Sequence, residues 1–199
     1  MKNPVVETSF FVAGRAKNVR VSDEKIKAFV SDLAADKKLL KNKWDEVNHL
    51  VSKNIGALLT YFFVLDTLQS CFWSKDNKNR WFVTVNGVKK TGYFALSNAL
   101  KVFFENHPEK ANFHYFSSIS FSEFKNILQG GRNLMFLKQR WQNLKAVSRI
   151  LVKKYKGNPE IFLKYCNGKC ETFVKKVVRE LPSFRDEPFY AGKKIFFWK

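Results

Sequence analysis

Two carboxylates stand out by their surroundings. Asp66 is the only charged residue between Lys53 and Lys75, and it follows the apolar run Tyr61-Phe62-Phe63-Val64-Leu65. Burying an ionised carboxylate among such residues is costly unless it is paired or hydrogen-bonded. Asp66 therefore reads either as a helix-end cap or structural ion pair, or as a carboxylate on the floor of a pocket. Asp186 lies in Leu181-Pro182-Ser183-Phe184-Arg185-Asp186-Glu187-Pro188-Phe189-Tyr190, where two prolines bracket a non-helical loop. An aromatic ring, a cation and carboxylates follow one another there. Reactive groups often sit on rigid loops of that kind, although a Ser-Phe-Arg-Asp turn also serves purely structural ends.

Other chemistries find little support. There is no glycine-rich phosphate loop, no serine elbow and no zinc-ligand spacing. Cys166 and Cys170 stand four apart on an expected helix, so they share a face. Without nearby histidines or further cysteines they read as core thiols rather than metal ligands. Cys71 is expected to be packed too, and His107 and His114 carry no signal by position. The residues call for no metal and no cofactor.

The elements that must position these groups are mostly helical. Ser22-Asp23-Glu24 starts a helix continued by Ile26, Phe29, Val30 and Leu33. A second helix runs from Asn54 to about Ser70 and is apolar nearly all round, hence buried on most sides but too short to span a bilayer. Arg80–Val85, Asn86-Gly87 and Val88–Tyr93 form a β-hairpin signal, because Asn-Gly supplies the positive φ angles of a type I′ turn. Phe94–Phe104 returns to helical spacing. Ser120-Phe121-Ser122-Glu123 is a capping box, with Ile119 placed as a staple on Phe124. A longer helix covers about Leu134 to Tyr155, with Leu137, Trp141, Leu144, Val147, Ser148 and Leu151 on one face. Gly157-Asn158-Pro159 ends it, and Ile161–Leu181 supplies one or two more helices. The expected fold is mainly α with one small antiparallel hairpin, in a single domain over 1–199.

Composition bounds what such a fold can do. The chain has 199 residues, 45% of them hydrophobic, with only 9 Gly and 5 Pro, which excludes a disordered or collagen-like chain. Three cysteines cannot make a disulfide framework, and the N-terminus carries no apolar signal core, so a reducing, cytoplasmic location is expected. A net charge of +19 makes polyanions attractive partners, nucleic acid included, though a biased codon composition produces the same lysine content without selection for binding. The chain ends on the apolar run Phe196-Phe197-Trp198 before Lys199. That run is expected to dock on a partner segment.

Several segments together resemble one family. They are Phe63-Val64-Leu65-Asp66-Thr67-Leu68 leading to Phe72-Trp73-Ser74, Trp81, Gly92-Tyr93-Phe94-Ala95-Leu96, and Leu134–Leu151 around Arg140. Above all there is Leu181-Pro182-Ser183-Phe184-Arg185-Asp186 followed by Tyr190-Ala191-Gly192. Ser9–Ala13 and Trp44 with His49 fit as well. These segments are similar to the queuosine salvage proteins, which are queuosine 5′-phosphate N-glycosylases, and their order holds across nearly the whole chain.

The resemblance implies a helical architecture related to that of DNA glycosylases. It also implies hydrolysis of the N-glycosidic bond of queuosine 5′-monophosphate, freeing queuine for re-insertion into tRNA. Asp186 would be the catalytic carboxylate and Phe184 would contact the deazapurine base. His49 would stand in the pocket wall, Asp66 would lie near the site, and Arg185 or Lys199 would offer a cation to the phosphate. Gln69-Ser70 and Gln139 depart from the family pattern, and Met135 takes the place of a proline. That pattern also continues past Lys199. The alternative is therefore a truncated, inactive paralogue that serves as a basic tRNA- or RNA-binding module or as a subunit of a larger assembly.

Overall fold

The computed structural model describes residues 3–35, 44–73 and 79–198. It is 59% helical, with small antiparallel ribbons. The chain divides into two compact units, one of residues 1–45 with 186–198 and one of residues 46–185.

The larger unit is built on α3, Ile55–Leu68, whose start is fixed by Asn54: its side-chain oxygen accepts a hydrogen bond from the Ala57 N–H at 3.1 Å. Tyr61, Val64, Leu65 and Leu68 of α3 are fully or almost fully buried. Each such side chain contributes about 1.5–3 kcal/mol by leaving water, before the entropy of ordering is subtracted. A hairpin follows, β1 (Phe82–Val85) pairing with β2 (Val88–Thr91) in the register Phe82↔Thr91 to Val85↔Val88. Its turn residues Asn86 and Gly87 both take positive φ, 50° and 77°, as the Asn-Gly signal requires.

Next come α4 (Gly92–Asn106), α5 (Phe113–Ser118), α6 (Phe121–Ile127) and α7 (Leu137–Tyr155). The expected capping box is present on α6, Ser120 and Glu123 each satisfying the other's backbone N–H. The helix α7 begins three residues later than its apolar pattern suggested, after Phe136 in a left-handed conformation. It buries Leu144, Val147 and Leu151 in the core with Phe113, Phe116 and Phe162. Two shorter helices, α8 (Pro159–Lys164) and α9 (Cys170–Glu180), complete this unit, with Pro159 as the first residue of α8.

One expectation fails here. Cys166 and Cys170 do not share a helix face, because Asn167 and Gly168 between them adopt φ of 49° and 68° and break the helix. Cys166 is buried behind α8, whereas Cys170 is the exposed first residue of α9. Cys71 is exposed rather than packed.

The smaller unit contains α1 (Pro4–Ala13), which the sequence reading missed, and α2 (Asp23–Ala35). It also holds the two-residue strands β4 (Phe189–Tyr190) and β5 (Lys193–Lys194), paired across Ala191-Gly192. Asp186 belongs to β3 (Arg185–Asp186), which pairs with β6 (Phe197–Trp198). The Phe196 N–H donates to Thr8 Oγ1 at 3.2 Å, and Ile195 is buried.

Candidate functional site

The larger unit contains a cleft of about 530 Å³, within the range of small-molecule sites. One face of α3 forms a wall through Leu59, Phe62, Phe63 and Asp66, at the i, i+3, i+4, i+7 spacing of a single helical stripe. Leu163 of α8 and Phe173, Val174 and Val177 of α9 form another wall. Phe184, at the end of a 3-10 turn over Pro182–Phe184, completes the lining together with Gln69 and Ser70. The all-round apolarity of α3 thus has two causes: one face meets the core and another meets the cleft.

The cleft is mainly aromatic and aliphatic, with three polar side chains, Asp66, Gln69 and Ser70, at the end of α3. Asp66 lines the cleft and is open to solvent rather than buried. No Lys or Arg is among the lining residues. Chemically, such a cleft holds a flat apolar body between rings and offers hydrogen-bond acceptors along one edge.

The polar edge is held from behind by Arg140. This side chain is only 2% exposed and donates to three backbone carbonyls: Met135 O at 2.9 Å, Cys71 O at 2.8 Å, and Leu68 O. Its guanidinium also lies 4.8 Å from the centre of the Phe72 ring. Burial lowers its pKa from the usual arginine value to about 10. Arg140 therefore ties the C-terminal carbonyl of α3 and the segment carrying Gln69 and Ser70 to the start of α7.

The remaining expected site residues are placed as follows. Phe184 is buried and lines the cleft with Asp66. His49 is nearly buried; its Nε2 lies 2.9 Å from the Tyr93 hydroxyl, and its ring stacks on Phe62 with centroids 6.4 Å apart. It thus stands behind a lining ring, one layer removed from the cleft. The Arg185 Nε donates to Val178 O at 2.6 Å and its Nη2 donates to Arg179 O, so the guanidinium caps the last turn of α9. Asp186 is exposed, in the smaller unit. Lys199 lies outside the described residues.

Sequence reasoning missed Phe62, Phe173, Val174, Val177 and Gln69 as lining residues. A signal existed for Gln69, three residues beyond Asp66 on the same helix stripe, and for α9 in the helical spacing of Phe173, Val174, Val177 and Val178, although such a stripe does not distinguish a cleft wall from a core face. Among the described residues, no group of three or more His, Cys, Asp or Glu could hold a metal ion. Nor is any described helix long and apolar enough to cross a membrane.

Comparison with known proteins bears on this geometry. The family model described as queuosine salvage protein matches residues 49–199. The queuosine 5′-phosphate N-glycosylase/hydrolase of Sphaerobacter thermophilus is 25% identical over 195 residues, covering 98% of this chain and 59% of that protein. The protein of the same description from Mus musculus is 24% identical over 197 residues, covering 97% of this chain and 58% of its own length. That of Nematostella vectensis is 24% identical over 209 residues, covering all of this chain and 60% of the relative. The chain thus spans about 60% of the length of the curated relatives it matches.

Proposed function

The chain belongs to the queuosine salvage protein family, and we propose that it carries the base-holding cleft and the catalytic carboxylate of an N-glycosidase acting on queuosine 5′-monophosphate. The supporting observation is the cleft itself. Its aromatic walls, Phe62, Phe173 and Phe184, suit the two faces of a flat heterocycle, and Asp66 and Gln69 suit its polar edge. The architecture is read as related to that of DNA glycosylases because the family resemblance implies it, and a helical body with small ribbons is compatible with that reading.

In the reaction, water adds to C1′ of the ribose as the C1′–N bond breaks. The base nitrogen leaves with the bonding pair and takes up a proton, releasing queuine and ribose 5-phosphate. Positive charge builds on the sugar ring in the transition state. Asp186 is assigned to stabilise that charge and to orient the water, the two tasks a fixed carboxylate performs in glycoside cleavage. Phe184 stacks on the base, and Asp66 accepts hydrogen bonds from its N–H groups. His49 acts through the Phe62 ring it backs. Arg185, engaged by α9, keeps the turn between Phe184 and Asp186 in shape. No Lys or Arg is among the described lining residues, and the phosphate is assigned to Arg185 or Lys199 as the candidate cations.

Asp186→Asn tests the assignment. Incubation with queuosine 5′-monophosphate followed by chromatography of free queuine should show a loss of about 10²-fold or more, with an unchanged melting temperature because Asp186 is exposed. Full activity in this variant would end the assignment.

A further inference from the structure

The +19 charge of the chain is not spread evenly. The sequence of α7, LKQRWQNLKAVSRILVKKY, contains no acidic residue. At 100° per residue Lys138, Lys145, Arg149 and Lys153 fall within a sector of about 80°, opposite the buried Leu144, Val147 and Leu151. At 1.5 Å per residue the four cations extend over about 22 Å of helix. None of them forms an ion pair with a described residue. Lys154, which points away from this sector, does so with Glu180 at 3.2 Å. The difference is informative: off the stripe Lys154 has an acidic partner in Glu180, and along the stripe no described carboxylate offsets the four cations.

Two of the four are held in place. Lys145 Nζ lies 4.7 Å from the centre of the Trp141 ring, whose Nε1–H donates to Ile119 O at 2.9 Å. Arg149 Nε donates to Ser117 O at 3.3 Å, which orients the rest of the guanidinium. Such anchoring lowers the entropy lost on binding.

We infer that this stripe on α7 is a docking surface for a nucleic-acid strand, gripped through its phosphates. A linear row of cations matches a linear row of phosphates, and releasing counterions from such a backbone drives association. An anionic membrane is the competing polyanion. The apolar face of α7 is buried in the protein core, so a membrane would gain only surface attraction there with no apolar insertion to add to it, whereas the narrow linear row of charge matches a strand. The strand is therefore bound by its backbone rather than read by its bases, and the surface is separate from the cleft assigned to the mononucleotide.

The test uses the whole chain and fluorescence anisotropy with labelled 20-nucleotide RNA and DNA of one sequence, over a range of salt concentrations. The stripe variant combines Lys138→Gln, Lys145→Gln, Arg149→Gln and Lys153→Gln. The control combines Lys17→Gln, Arg20→Gln, Lys25→Gln and Lys27→Gln, removing the same charge from exposed positions elsewhere. The stripe variant should lose about tenfold or more in affinity at low salt, and the slope of log affinity against log salt should fall by about 3, since each phosphate contact contributes 0.7–0.9. The control should stay within about twofold of the parent. Binding of either strand supports the site, and the tighter one identifies its source. Equal losses in stripe and control variants would overturn the inference, as would absence of binding to both strands, or stripe-dependent binding to phosphatidylserine vesicles that exceeds binding to nucleic acid. Circular dichroism of each variant establishes that α7 remains helical.

Discussion

The helices α3 and α2 look alike as patterns and differ as structures. Both carry apolar residues at helical spacing, and both start at a polar or acidic residue. Yet α3 buries seven residues, including Tyr61, Val64, Leu65 and Leu68, whereas α2 buries none. On α2, Ile26, Phe29, Val30 and Leu33 are 43–61% exposed. Periodicity therefore tells that a helix has an apolar face, and the partners of that face decide whether it contributes to stability. α3 has the core against one face, the cleft along another, and Arg140 at its end. The contrast predicts a descending series of effects.

The largest belongs to the end of α3. Arg140→Ala leaves the carbonyls of Leu68, Cys71 and Met135 without their donor and opens a cavity where a large side chain was buried. The cost should be about 3–5 kcal/mol, read as a lower urea midpoint. Arg140→Lys should recover less than half of it, because one ammonium cannot reach three carbonyls set around a planar fork. A loss below about 1 kcal/mol in the alanine variant would mean that the α3 end is held by packing alone.

A middle-sized effect concerns the opposite wall of the cleft. Glu180 ends α9 and accepts from the Tyr155 hydroxyl at 2.6 Å, from Lys176 at 2.9 Å and from Lys154 at 3.2 Å. Burial alone would raise its carboxyl, but these donors together outweigh burial and lower its pKa to about 2, against an ordinary value of 4.5. A depressed carboxyl pKa adds stability above the unfolded-state value. That stability is lost as pH falls from about 4.5 through about 2. The loss should be roughly 2–3 kcal/mol, seen as a falling urea midpoint over this window. Glu180→Gln should flatten that part of the profile, and an unchanged slope would show that other carboxylates carry the acid sensitivity.

Much of the fold was legible because its signals are local. Asn54 before an apolar run, Asn86-Gly87 between strands, and Ser120 three residues before Glu123 each carry their own geometry. The Asn3-Pro4 start of α1 was equally local, with Asn3 accepting from the Val5 N–H, and it was overlooked. The β4–β5 ribbon was hidden because Ala191 takes φ of 47°, a conformation no alanine advertises. The site was legible where chemistry is rare. Asp66 stood out among apolar residues and does line a cleft, and Phe184 in its proline-flanked turn lines the same one. The partners of Arg140 and Arg185 could not be read, because backbone carbonyls leave no mark in a sequence. For the same reason nothing in the sequence told that Arg185 spends two of its donors on carbonyls at the end of α9.

The smallest effect completes the comparison. Phe29 is 61% exposed on α2, so most of its ring is already in water when the chain is folded. Replacing it with Ser removes little burial, and Ser and Phe have nearly the same helix propensity. Phe29→Ser should therefore change the unfolding free energy by no more than about 0.5 kcal/mol, the range of an ordinary surface substitution. Leu65→Ala on α3, where the side chain is fully buried, should cost about 2–5 kcal/mol under the same conditions. If Phe29→Ser instead lowered the urea midpoint as far as Leu65→Ala does, the apolar face of α2 would have a covering partner in solution. The distinction between a helix that is packed and one that is merely patterned would then no longer hold for this chain.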